Sequence, residues 1–106
     1  MLYDAIIIGA GPAGNMAAVR LSEKGHKVAV IDPRHDIGNK LCTGIIGIDC
    51  AKKFPPQKSH VYCGANSATI VAPSGKTYTL EKDNPQAFII DRVSYIKTIA
   101  ETASNK

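Results

Sequence analysis

The sequence predicts an α/β fold that opens as a Rossmann-like βαβ unit, with a small β-hairpin insertion and a closing helix. Three observations carry that reading. An apolar run, Ile6-Ile7-Ile8, feeds straight into Gly9-Ala10-Gly11-Pro12-Ala13-Gly14. A helical pattern follows at once, with Ala13, Met16, Ala17 and Leu21 on one face. A second apolar run, Lys27 to Ile31, closes on an acid, Asp32, 18 residues beyond Gly14.

Each element has a local reason. Tyr3 to Ile8 is almost wholly apolar, as a parallel strand covered on both faces should be. The first helix ends at Ser22-Glu23-Lys24-Gly25, with glycine where a left-handed cap is needed. Pro33 to Lys40 is a polar loop punctuated by proline and glycine. Leu41 to Gly47 is rich in small and β-branched residues and carries Cys42. Ile48 to Phe54 reads as a short helix terminated by Pro55-Pro56. Val61 to Val71 and Thr77 to Glu81 read as strands joined by the turn Pro73-Ser74-Gly75-Lys76. Asp83-Asn84-Pro85 is a further turn, and Ala87 to Ile90 another short strand. Asp91 then reads as the N-cap of an amphipathic helix to about Ala103. Its stripe is Val93, Ile96, Ala100 and Ala103, with Ile99 at the margin.

The glycine segment carries the chemistry. Gly9 permits a tight turn out of the strand, and Gly11 lets the backbone approach a pyrophosphate with no Cβ in the way. Gly14 allows the helix to pack closely on the strand. The helix N-terminus, at Pro12 and Ala13, offers unpaired N–H groups and a partial positive charge to phosphates. Asp32 is placed to accept hydrogen bonds from an adenosine ribose, and an acid there disfavours a 2′-phosphate.

Composition narrows the class. A chain of 106 residues, 44% hydrophobic, fits one small globular domain. A doubly wound dinucleotide domain needs more chain than this, and no strand follows the last helix. The length therefore predicts a truncated chain, with residues 1–106 as the N-terminal part of a cofactor-binding domain. The net charge of +4 comes from scattered lysines with little aromatic interleaving, which argues against nucleic acid. Three cysteines without a C-x-x-C pattern argue against a disulfide framework or zinc site and for a reducing compartment. The first strand begins too early for a secretory signal, and no apolar run approaches bilayer length. A cytoplasmic protein is the expectation.

At this point the residues resemble a family. The opening strand, the Ala-Gly-Pro-Ala-Gly core and Asp32 look like the FAD-binding segment of the two-dinucleotide-binding-domain flavoproteins. Gly38-Asn39-Lys40-Leu41-Cys42-Thr43-Gly44-Ile45-Ile46 is similar to the glycine–cysteine–glycine loop of the geranylgeranyl reductases. Ile90-Asp91-Arg92-Val93-Ser94-Tyr95 resembles the Asp-Arg helix start shared by those reductases and the aromatic-hydroxylase-like monooxygenases. The resemblance implies a bound FAD that takes hydride from a reduced carrier, NAD(P)H or ferredoxin, and passes it to isoprenoid double bonds. It places Gly9, Gly11, Pro12, Ala13 and Gly14 at the pyrophosphate and Asp32 at the ribose. Arg34 would lie along the adenine, and Arg92 near the phosphates or ribityl chain. Cys42, with Thr43 and Gly44, would lie near the flavin and substrate. A later Gly-Asp motif and a substrate domain, both part of the family pattern, do not occur in these 106 residues.

Other functions stay in view. For Cys42 the resemblance suggests a catalytic position, while a free cysteine is more usually a small packing residue. Cys50 and Cys63 are expected to pack, and His26, His35 and His60 to lie at the surface. No nucleophile–base set stands out, which suits a cofactor that performs the chemistry itself. An FAD-dependent monooxygenase and a non-catalytic nucleotide-binding module are the competing readings. A lipid substrate would further imply contact with a membrane surface.

Overall fold

Parallel pairing of the two N-terminal apolar runs organises the first of two units. This computed structural model describes residues 1–105; one unit comprises Met1–Leu41 and Arg92–Lys106, the other Cys42–Asp91. In the first, β1 (Ala5–Ile8) pairs with β2 (Val28–Ile31) in the register Ala5↔Val28 to Ile8↔Ile31. Helix α1 (Pro12–Glu23) makes the crossover and packs on both strands, and α3 (Arg92–Ser104) packs beside α1. Gly25 holds a φ of +84° just past the helix, and the Lys24 and Gly25 amides bond back to Leu21 and Ser22. That is the glycine stop the sequence predicts.

The buried face of α1 differs from the predicted stripe. Asn15, Ala18 and Val19 are buried, while Ala13 and Ala17 face solvent. Gly14 explains the rotation. A Cβ there would collide with the Gly9 carbonyl oxygen and crowd Ile7, so the helix meets β1 along the Gly14 side. Hydropathy alone favoured a face one step round, because it assigns no packing value to glycine or asparagine. On α3, Ile96 is fully buried and Tyr95 joins it, a contribution the apolar stripe did not predict.

The second unit holds a three-stranded antiparallel sheet of β3 (Ile45–Gly47), β7 (Ala87–Ile90) and β4 (Val61–Ala65), with β7 central. Gly47 leads directly into α2 (Ile48–Lys53), which stops as predicted before the two prolines. A single 3₁₀ turn, Lys58–His60, precedes β4. The predicted strand from Val61 to Val71 is in fact two strands. Ala65 pairs with Ala87 of β7, whereas Ser67 pairs with Glu81, so the chain changes partners at Asn66. Strands β5 (Ser67–Val71) and β6 (Thr77–Glu81) then form the predicted hairpin, turning through Gly75 at a φ of +87°.

Candidate dinucleotide site

Residues 9–14 form the turn that the strand and helix together demand. Gly9 has a φ of +107°, a region open chiefly to glycine, and its amide bonds to the Ile31 carbonyl at 2.7 Å. The chain thus leaves the sheet abruptly at the C-terminal end of β1. Gly11 is the N-cap of α1, with no side chain capping the helix, and Pro12 occupies the first turn. No acid lies in that turn. The first-turn amides of Ala13 and Gly14 have no partner within the helix, which leaves donors and partial positive charge for an anion.

Peptide groups around Ala10 are fixed from two directions. The Ala10 amide donates to Asp32 Oδ2 at 2.9 Å, and the Ala10 carbonyl accepts from Asn15 Nδ2 at 2.8 Å. Asn15 is only 2% exposed. Sequence reasoning missed Asn15; its signal was a polar residue one step past the last glycine, on a helix that packs closely. Removing its amide would leave the Ala10 carbonyl unsatisfied in a site where partners are obligatory.

Asp32 ties the two ends of the βαβ unit together. Its other oxygen, Oδ1, accepts the Arg34 amide at 2.8 Å. A carboxylate offers about four acceptor positions, so ribose hydroxyls can still be bound. The Ala10 amide holds its pKa below the ordinary 3.8, and the Arg34 amide adds to that lowering. Partial desolvation opposes the shift, and the Arg34 charge supports it. Because the folded pKa is depressed, the contribution to stability is present above pH 3.8 and lost as pH falls through the lowered value. Asp32→Asn is therefore expected to flatten the acid limb of thermal stability below pH 4. An unchanged acid limb, followed by circular dichroism, would show that Asp32 does not link the two turns.

A cavity of about 350 Å³ opens beside this turn, with Ala10, Asn15, Asp32, Arg34 and His35 at its polar end. Arg34 lines this cavity beside Asp32. His35, expected at the surface, forms part of the wall while remaining exposed.

The remaining site residues fall differently. Arg92, at the start of α3, sends Nη1 towards the carbonyls of Gly38 and Lys40 at 3.4 and 3.3 Å. Gly38 packs on the same helix, with a φ of +86° and room for a Cβ only 3.3 Å from Val93 and Ile96. Cys42, Thr43 and Gly44 belong to the other unit. There the Gly44 amide lies 3.4 Å from Cys42 Sγ, and Cys42 and Thr43 are exposed. Gly44 is buried against β7: a Cβ would come within 2.8 Å of the Ile90 carbonyl oxygen at a φ of +70°. Its own carbonyl accepts the Ile90 amide at 2.8 Å. Glycine is required at that position by the sheet.

Comparison with known proteins fits this geometry. Residues 7–54 match the model of the NAD(P)-binding Rossmann-like domain. The chain is 36% identical over 95 residues to a digeranylgeranylglycerophospholipid reductase of Methanoculleus marisnigri, covering 85% of this chain and 24% of the relative. It is 30% identical over 104 residues to digeranylgeranylglycerophospholipid reductase 1 of Methanococcoides burtonii, covering 93% and 26%. The chain is thus similar in sequence to digeranylgeranylglycerophospholipid reductases. The crystal structure of a geranylgeranyl bacteriochlorophyll reductase-like protein of Thermoplasma acidophilum shares the fold, with a TM-score of 0.84 at 24% identity. It is matched over 97% of this chain and 28% of its own. The chain spans about a quarter of the length of the curated relatives it matches. Among the described residues, no helix is long and apolar enough to cross a membrane.

Proposed function

We propose that residues 1–106 are the N-terminal part of an FAD-binding domain in a flavin-dependent reductase that saturates isoprenoid double bonds. The observation that carries this reading is the Asp32 carboxylate, anchored between the Ala10 and Arg34 amides at the mouth of a cavity beside an uncapped helix N-terminus. That arrangement suits the ADP half of a dinucleotide: phosphates on the amides of Ala13 and Gly14, ribose hydroxyls on Asp32. A Cβ on Gly11 would meet nothing within 4 Å, so the space a pyrophosphate needs is present. The acid disfavours a 2′-phosphate, which supports FAD or NAD over NADP at this turn. The names of the relatives support reduction of an isoprenoid lipid substrate.

When bound, the flavin supplies hydride acceptance and donation; this chain's residues supply position and charge. The Ala13 and Gly14 amides neutralise phosphate, Asp32 fixes the ribose, and Asn15 holds the turn that aligns them. Cys42 is read as standing near the reacting end.

The test is a chimera in which this chain is followed by the remaining polypeptide of the Methanoculleus marisnigri reductase. It should retain FAD and, given a reduced carrier, saturate a geranylgeranyl lipid. A hydroxylated product with oxygen consumption would assign the chain to the monooxygenases instead. In the same chimera, Cys42→Ala is expected to leave flavin content unchanged and to slow lipid reduction. Unaltered turnover would return Cys42 to a packing role.

A further inference from the structure

The second unit gathers lysines beside an apolar cleft. From Cys50 to Leu80 the chain carries no acid, and Lys52, Lys53 and Lys58 lie close together in that run. All three are exposed, and none is in an ion pair among the described residues. Lys52 and Lys53 occupy the last turn of α2, where the helix dipole favours a cation. That accounts for two charges. Lys58 stands apart from the helix, in the 3₁₀ turn beyond the two prolines.

Lys58 lines an open cleft of about 430 Å³, together with Ala51, Pro56, Val61 and Phe88. The cleft follows from the sheet. Val61 pairs with Ile90, and Phe88 lies two positions back on the same face of β7. Ala51 is the buried residue of α2, whereas Pro56, Val61 and Phe88 are only half-buried. An apolar surface therefore stays open beside the charges. Prolines 55 and 56 restrict the connecting segment, so little ordering entropy is lost when it binds.

Such a surface suits a partner that is anionic outside and apolar beneath. An anionic bilayer has that layering: phosphates meet the lysines, and a hydrocarbon segment enters the cleft. Nucleic acid would call for exposed stacking rings, and Phe54 and Phe88 are both half-buried. An acidic peptide would call for several donors, and Lys58 is the one polar side chain in the lining.

We propose that Lys52, Lys53, Lys58 and the adjoining cleft form a docking site for an anionic lipid bilayer. The charge and the cleft carry the site; the choice of a bilayer rests also on the lipid-substrate reading above. The site holds this unit at the surface in which a phospholipid substrate resides.

Co-sedimentation with vesicles tests it, on the 106-residue chain and on the chimera with the Methanoculleus marisnigri reductase. Both should bind vesicles of equal parts phosphatidylglycerol and phosphatidylcholine, less so at raised salt, and not phosphatidylcholine alone. The triple variant Lys52→Gln, Lys53→Gln, Lys58→Gln should bind on the order of a hundredfold more weakly. Its fold should survive, because all three side chains are exposed. A second triple variant, Lys24→Gln, Lys76→Gln, Lys82→Gln, removes the same charge and should lose little. Equal losses would reduce the effect to net charge and overturn the proposal. Binding by the isolated chain but not by the chimera would show the patch covered in the longer protein, and would overturn it too. Pro56→Trp adds a reporter at the cleft, whose emission should be quenched by lipids brominated on their acyl chains. Absence of quenching would contradict entry into the cleft. Oligonucleotide binding that the first triple variant loses, with no binding to vesicles, would assign the patch to nucleic acid instead. Failure of the lipid-substrate reading looks different: vesicle binding as expected, with no saturation of a geranylgeranyl lipid by the chimera.

Discussion

Gly14→Ala is expected to lower the thermal midpoint by on the order of 10–20 °C, corresponding to about 3 kcal/mol in a chain of this size. The reason is geometric. A Cβ built on Gly14 overlaps the Gly9 carbonyl oxygen and also lies 3.2 Å from the Gly9 carbonyl carbon and from Ile7 Cγ2. Two of those three atoms are backbone and cannot rotate away. Relief requires α1 to move off β1, which would disturb the bond from Asn15 to Ala10 and the burial of Ala18 and Val19. Alanine is otherwise the best helix former, so propensity alone predicts a gain. An unchanged or raised midpoint in differential scanning calorimetry would show that helix and strand are not in close contact at this point.

Gly11→Val is expected to do the opposite: to leave the fold nearly intact and to weaken dinucleotide binding at least a hundredfold, about 2.7 kcal/mol. Gly11 has a φ of −78°, which valine adopts without strain, and nothing lies within 4 Å of a Cβ there. Valine is a poor N-cap residue, so a stability cost of up to about 1 kcal/mol is anticipated. Its branched side chain would stand over the uncapped amides of α1, in the space assigned to pyrophosphate. Isothermal titration with ADP checks this directly, and wild-type affinity in the folded variant would move the phosphates elsewhere. The two glycines, three positions apart, serve different ends: Gly14 makes the packing and Gly11 keeps the site open.

The βαβ opening was legible because three independent signals coincided there. The apolar runs, the glycine spacing and the acid at Asp32 each constrain the same turn, and the hairpin and closing helix carried comparable local signals. Other features depend on tertiary partners. Strand β3 is three residues long and exists because β7 runs beside it. The partner change at Asn66 has no marker in a run that reads as continuous strand. The burial of Asn15 follows from its bond to a carbonyl five residues back, which periodicity counts as a polar position. Arg92 illustrates the limit for the site itself. Its residue type suggests an anion partner, yet the carbonyls that it meets belong to a loop more than fifty positions earlier.

The central claim is that the glycine turn and Asp32 hold the ADP half of FAD. Its most direct measurement is a titration of the 106-residue chain with FAD, followed by flavin fluorescence, with ADP and NADP⁺ as competitors. The account predicts one saturable FAD site, displacement by ADP, and much weaker displacement by NADP⁺, with FAD and ADP affinity both lost in Gly11→Val. Absence of FAD binding, or displacement by NADP⁺ as effective as by ADP, would contradict it.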